Sequence, residues 1–149
     1  MPELTLTVDV DVPAQTLWDT VVDWPGQGRW ILLTHVRVTS GSGEAVGDEV
    51  AAVTGVGPLA FTDTMRITRF EAPVVCDVEH TGRVVQGIGL FRVDPLSADR
   101  SRFTWTEDVI VPFGALGRLG WPVAKRGVAL GVRLSLRRLA AVARERAAG

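Results

Sequence analysis

The sequence predicts an α+β fold: a curved, seven-stranded antiparallel sheet around one long C-terminal helix, with two short helices near the N-terminus. Three observations carry this. Residues 3–10, and most of the chain from Val36 to Val111, alternate apolar and polar side chains with period two. Turns rich in glycine and proline separate these runs with no helical pattern between them, which favours hairpin-connected strands. After Pro112 the apolar spacing changes to three and four, the period of a helix.

In the first strand Leu4, Leu6, Val8 and Val10 alternate with Glu3, Thr5, Thr7 and Asp9. Asp11-Val12-Pro13-Ala14 then marks a helix start, with Asp11 placed to accept orphan N–H bonds and Pro13 suited to a first turn. Leu17, Trp18, Val21 and Val22 form its apolar face, and it stops before Pro25-Gly26. A second short helix is expected to carry Trp30, Ile31 and Leu33. Val36 and Val38 lead into Gly41-Ser42-Gly43, and Val46 to Val53 into Gly55-Val56-Gly57-Pro58. Phe61 to Phe70 ends at Ala72-Pro73, and Val74 to His80 at Thr81-Gly82. Val84 to Val93 ends at Asp94-Pro95, and Arg102 to Val111 at Pro112.

In the last helix Val128, Val132, Leu136, Leu139 and Ala143 share one face. Leu119, Val123, Leu130 and Leu134 form a second apolar strip nearly opposite. A helix apolar on two sides is expected to be packed on two sides. Arg126, Arg133, Arg137 and Arg144 form a charged stripe beside that second strip, and Trp121-Pro122 is read as a kink or as the start of the main helix.

Composition bounds the function. A chain of 149 residues fits one domain, 1–149, burying roughly 70% of the surface its unfolded form exposes. No apolar run approaches the ~20 residues that cross a bilayer. Met1-Pro2-Glu3 lacks a secretory start, and the single cysteine, Cys76, fits a reducing compartment, so a cytoplasmic protein is expected. The net charge of −1 is uneven. Residues 118–149 hold eight Lys and Arg against one Glu, a net of +7, so the first 117 residues carry −8. Such asymmetry points to internal complementarity or to an anionic partner. A sequence pI of about 6.1 and the lack of an aromatic–basic platform argue against nucleic acid. Two histidines and one cysteine offer no metal-ligand spacing, and no phosphate loop, dinucleotide fingerprint or nucleophile elbow is present. Neither a metal nor a cofactor is expected.

Strand parity nominates a pocket. Phe61, Met65 and Ile67 share a face with Asp63 and Arg69; Val74, Cys76 and Val78 share one with His80. Phe103, Trp105, Val109 and Val111 share one with Glu107, and Val85, Phe91 and Val93 point with Gly87 and Gly89. Three apolar faces thus each carry an ionisable group: Asp63, His80 and Glu107. An unpaired buried charge is costly, so these groups are either wet strand ends or partners in one cavity. A histidine between two carboxylates is a setting for acid–base chemistry. Phe61, Met65, Arg69, Phe91, Trp105 and Trp30 are candidate walls, and Gly87, Gly89, Gly127 and Gly131 are read as room left open for a ligand. Cys76 is expected as inert core.

Val10-Asp11-Val12-Pro13-Ala14-Gln15-Thr16-Leu17-Trp18-Asp19, with Asp23-Trp24 and Arg29-Trp30, resembles the start of the SRPBCC superfamily. Gly87-Ile88-Gly89-Leu90-Phe91-Arg92-Val93-Asp94-Pro95, followed by Phe103-Thr104-Trp105-Thr106-Glu107, resembles that group's last hairpin. The superfamily takes in START-related lipid-binding domains, pathogenesis-related plant allergens and polyketide cyclase/dehydrase-like bacterial proteins. Small actinobacterial members of the last kind are the most similar, and the usage of Arg, Ala, Gly and Val suits a high-GC genome. The resemblance spans nearly the whole chain and implies a helix-grip fold with a cavity between sheet and C-terminal helix. Its motifs are packing signatures rather than catalytic ones.

Three functions follow as expectations. The first is binding or transport of a hydrophobic small molecule, such as a lipid, isoprenoid or polyketide. The second is a polyketide cyclase/dehydrase using His80, Glu107 and Asp63 as acid–base groups, although the chain has no tyrosine. The third is an interaction module that meets a protein, or an anionic membrane through Arg126, Arg133, Arg137 and Arg144.

Overall fold

The computed structural model describes the backbone of residues 3–110 and 114–149 and the side chains of residues 3–109 and 126–149. Its strands are β1 (Glu3–Val10), β2 (Thr34–Ser40), β3 (Glu49–Thr54), β4 (Phe61–Glu71), β5 (Val75–Thr81), β6 (Gln86–Ser97) and β7 (Arg100–Ile110). All neighbours pair antiparallel, in the order β1-β7-β6-β5-β4-β3-β2. Sequence order is spatial order except for β1, which joins the far side of β7. The two edges are therefore β1 and β2, and the segment joining them must cross the sheet. It does so as α1 (Ala14–Val21) and a 3-10 helix (Pro25–Arg29). The C-terminal helix α2 (Gly114–Ala148) lies against β1, α1 and the 3-10 helix. This is the helix-grip arrangement.

The core sits where α1 and the last half of α2 meet the sheet. Leu17, Trp18 and Val21 from α1 are buried with Val10, Val93 and Phe103 from the sheet and Leu136, Leu139 and Ala143 from α2. Aromatic edges fix the packing: Trp18 meets Phe70 at 5.4 Å between ring centroids, and Phe91 meets Phe103 at 5.3 Å. Trp24 Nε1 donates to the Gly43 carbonyl (2.8 Å), tying the crossing segment to the β2–β3 hairpin. Arg29–Glu145 (2.5 Å) and Arg146–Asp23 (3.1 Å) join the last turns of α2 to that segment, and the second answers part of the charge asymmetry internally.

Several expectations change. Asp11 does not cap α1: Pro13 holds the cap position with no side-chain bond, and Asp11 faces outward to accept from Arg100 Nε (3.2 Å). The second short helix is Pro25–Arg29, so Trp30, Ile31 and Leu33 follow it instead of forming it. β3 begins at Glu49 because Asp48 is committed to the turn, accepting from the backbone N–H groups of Ser42 (2.9 Å) and Gly43 (2.8 Å). β6 runs through Pro95 to Ser97, where a register shift absorbs the proline.

The long helix also differs. It begins at Gly114, ahead of Trp121-Pro122. The second apolar strip is not packed where it is described, since Leu130 is 59% and Leu134 39% exposed. Leu119, Trp121 and Val123 lie outside the described side chains. On the other face burial fades toward the helix start. Leu136 and Leu139 are buried, Val132 is half-buried and Val128 is 48% exposed. The helix packs onto the sheet around Leu136, Leu139 and Ala143 and stands off it around Val128.

Gly127 lies in the exposed part of α2, and a Cβ there would meet nothing within 4 Å. Gly127→Ala should therefore stabilise the protein by about 0.5–1 kcal/mol, read as a rise in the urea midpoint at unchanged slope.

Candidate functional site

Between the Val128–Ser135 stretch of α2 and the sheet is a cavity of about 350 Å³. Leu4, Phe61 and Val109 wall it from the sheet, Val85 from the β5–β6 turn, Ile31 and Leu32 from the crossing segment, and Val128, Gly131 and Val132 from the helix. A second chamber of about 100 Å³ lies deeper, toward Trp24, Met65 and Phe91. Asp63, His80, Trp105 and Glu107 border both.

The pairing register explains how these side chains meet. Asp63 lies on β4 and His80 on β5, with Met65 directly opposite His80. Glu107 is on β7, two strands from His80. Gly87 and Gly89 of β6 occupy the intervening positions, Gly87 opposite His80 and Gly89 opposite Glu107. With no side chain on β6 at these places, His80 and Glu107 reach each other over the strand. A Cβ at Gly89 would lie 3.1 Å from Glu107 Oε1.

His80 Nδ1 is 2.8 and 2.9 Å from the two Asp63 oxygens, and its Nε2 is 2.9 Å from Glu107 Oε2. Trp105 Nε1 donates to Glu107 Oε1 at 2.8 Å. The His80 side chain is only 4% exposed, against 14% for Asp63 and 24% for Glu107. A neutral imidazole would turn a lone pair toward one of two ionised carboxylates, so the arrangement favours a proton on each ring nitrogen. Burial opposes that charge, but hydrogen bonds and charge attraction from Asp63 and Glu107 outweigh it and raise the His80 pKa to about 10. The three groups then hold a net charge of −1 in apolar surroundings. Among the described residues no cluster is arranged to hold a metal ion.

The other nominated residues divide. Phe61, Trp105 and Gly131 line the larger chamber, and Met65 and Phe91 the smaller. Arg69 lies outside both. A register shift between Ile67 and Arg69 turns it outward onto Glu71 and sends Phe70 inward against Trp18. Trp30 is fully buried behind the wall, edge-on to Phe103 and Trp105. Gly87, at φ +126°, is needed for close approach: a Cβ would come within 2.2 Å of the Asp108 carbonyl oxygen. Gly89 gives its space to Glu107 rather than to a ligand, and Gly127 opens to the exterior. Only Gly131, of the four, borders the chamber.

Thr34, Thr54 and Ser135 also line the larger chamber, beyond the residues that strand parity nominates. Ser135 is a buried hydroxyl on the inner helix face, one position from Leu136, and that position was its only sequence signal. Cys76 is fully buried, and burial with the adjacent Asp77 charge pushes its thiol up to about 12. Arg126, Arg133, Arg137 and Arg144 are exposed and make no ion pair among the described residues.

The family described as polyketide cyclase/dehydrase and lipid transport matches residues 1–144. No curated protein matches the chain in sequence. Among solved structures, the Zhui aromatase/cyclase from Streptomyces sp. R1128 is 20% identical, with a TM-score of 0.80 over 97% of this chain and 94% of that one. A START superfamily protein from Mycobacterium smegmatis is 14% identical, with a TM-score of 0.79 over 96% and 97%. A protein from Thermus thermophilus is 11% identical, with a TM-score of 0.81 over 95% and 97%. At such identities the likeness concerns the fold. None of the described helices is long and apolar enough to cross a membrane.

The buried histidine can be tested in three ways. Because its folded pKa is raised, its contribution to stability is complete below about pH 6.5 and is lost as pH rises through about 10. Urea melts across that window should lose stability in the wild type, and lose less in His80→Gln. In nitrogen-detected NMR both His80 ring nitrogens should remain protonated at pH 8. Gly89→Val should push Glu107 off Nε2 and lower the His80 titration midpoint.

Proposed function

The chain belongs to the polyketide cyclase/dehydrase and lipid transport family, within the SRPBCC superfamily, and from that premise we propose that it binds or carries a hydrophobic small molecule in the chamber under α2. The observation that carries this reading is the volume left beside Gly131. The chamber is about 350 Å³, and a Cβ at Gly131 would meet nothing within 4 Å. Ligand pockets begin near 300 Å³, and an apolar cavity of about 150 Å³ holds a benzene, so the room suits about two or three rings or a short chain. Apolar walls supply the affinity, and the Asp63–His80–Glu107 row supplies a polar point for orientation.

Catalysis is the second reading, favoured by the Glu107 carboxylate, which faces the chamber with one imidazolium shared between two carboxylates. His80 has both nitrogens occupied and serves here as a fixed positive charge. Glu107 is then the base for an enolisable polyketide-like substrate. Glu107→Gln should abolish turnover of a poly-β-carbonyl substrate, and undiminished turnover would exclude this role.

Native mass spectrometry of freshly purified protein should show one small apolar adduct, or stoichiometric uptake of a neutral naphthalene dye. Gly131→Phe, which fills the chamber from the helix side, should lose either signal with the fold intact by circular dichroism. Unchanged uptake in Gly131→Phe, or none by the wild type, would sink the proposal.

A further inference from the structure

The larger chamber is lined by five described side chains that own a polar hydrogen: Thr34, Thr54, His80, Trp105 and Ser135. Every one of those hydrogens is already committed. Thr34 Oγ1 donates to the Leu32 carbonyl (2.9 Å), so in its 3.0 Å contact with Thr54 Oγ1 it can only accept, and Thr54 donates. Ser135 Oγ donates to the Gly131 carbonyl (2.9 Å) and accepts from Leu32 N–H (3.1 Å). Trp105 donates to Glu107, and His80 donates to Asp63 and Glu107.

Acceptors are in the opposite position. Two carboxylates carry about eight lone-pair sites between them, and the His80 and Trp105 N–H groups use only a few. The other charged group bordering the chamber, among the described residues, is His80, and it is enclosed between them. The surface that the described residues offer to a ligand is therefore apolar, net negative and rich in acceptors, and none of these side chains has a free donor.

We infer that this chamber selects apolar molecules that bring their own O–H or N–H donors to Glu107 and Asp63, and that it excludes ligands headed by a carboxylate or phosphate. The inference rests on the ligand-binding reading above and names the class of ligand for the same site. A donor meeting a buried carboxylate makes a charge-assisted bond. An anion placed beside Glu107 and Asp63 would face like charge, with no free donor among the described lining side chains to answer it.

Three naphthalenes of equal shape test this by calorimetry near neutral pH: 2-naphthol, 2-methoxynaphthalene and 2-naphthoate. The naphthol should bind about tenfold or more tightly than the methyl ether, with the naphthoate weakest. Glu107→Gln, which adds an amide donor and removes a charge, should narrow the first gap and improve naphthoate binding; Asp63→Asn is the companion variant should the first fail to fold. Naphthoate or the ether binding as tightly as the naphthol would overturn the inference while leaving a binding cavity in place. Binding of none of the three would remove the cavity reading and this inference together.

Discussion

One helix must cover the concave face of seven strands, and the architecture follows from how far it succeeds. Leu136, Leu139 and Ala143 descend into the sheet beside α1 and complete a packed core. Toward the helix start Val132 is half-buried and Val128 is largely exposed, and the space beneath them is the chamber. Two ion pairs at the other end, Arg29–Glu145 and Arg146–Asp23, hold the final turns to the crossing segment. Core and cavity are thus two ends of a single contact, and a residue's place along α2 decides which it serves.

The polar row in the chamber depends on a different constraint. Neighbouring strands stand roughly 4.8 Å apart, so β5 and β7 are too distant for ordinary side-chain contact. The bare backbone of β6 at Gly87 and Gly89 makes the crossing from His80 to Glu107 feasible. A buried positive charge is tolerated there because it is shared between two carboxylates, and Trp105 occupies one of the remaining lone pairs. Strand glycines that weaken a sheet locally here allow a charge network that no adjacent pair of strands could hold.

How much of this was legible depended on whether a strand kept its period. Asp63, His80 and Glu107 were assignable to inner faces because β4 up to Ile67, β5 and the middle of β7 run without a bulge. Arg69 departs from its parity because one extra residue after Ile67 reverses the alternation, and nothing in its local composition announces that shift. Residue type alone marks Trp30 as a candidate wall, but whether an aromatic lines a void or backs the residue that does depends on contacts distant in sequence. The glycines show the same limit. Gly87, Gly89, Gly127 and Gly131 look alike in the chain, yet they meet a backbone oxygen, a carboxylate, open exterior and the chamber respectively. The outer leucines at 130 and 134 have the spacing of a packed strip and are exposed, since periodicity reports a face and not what covers it.

Cys76 has a practical consequence. It is the chain's one thiol, it lies on the inner face of the central part of the sheet, and its proton is held well above the usual range. Alkylating reagents attack thiolates, so the folded protein should be nearly silent toward them. Labelling then proceeds only when β5 separates from its neighbours or the whole molecule opens. The rate of modification therefore follows the population of the open form, or the opening rate itself when labelling outpaces reclosing, without an engineered probe. A bound molecule that braces the sheet would register as a slower clock.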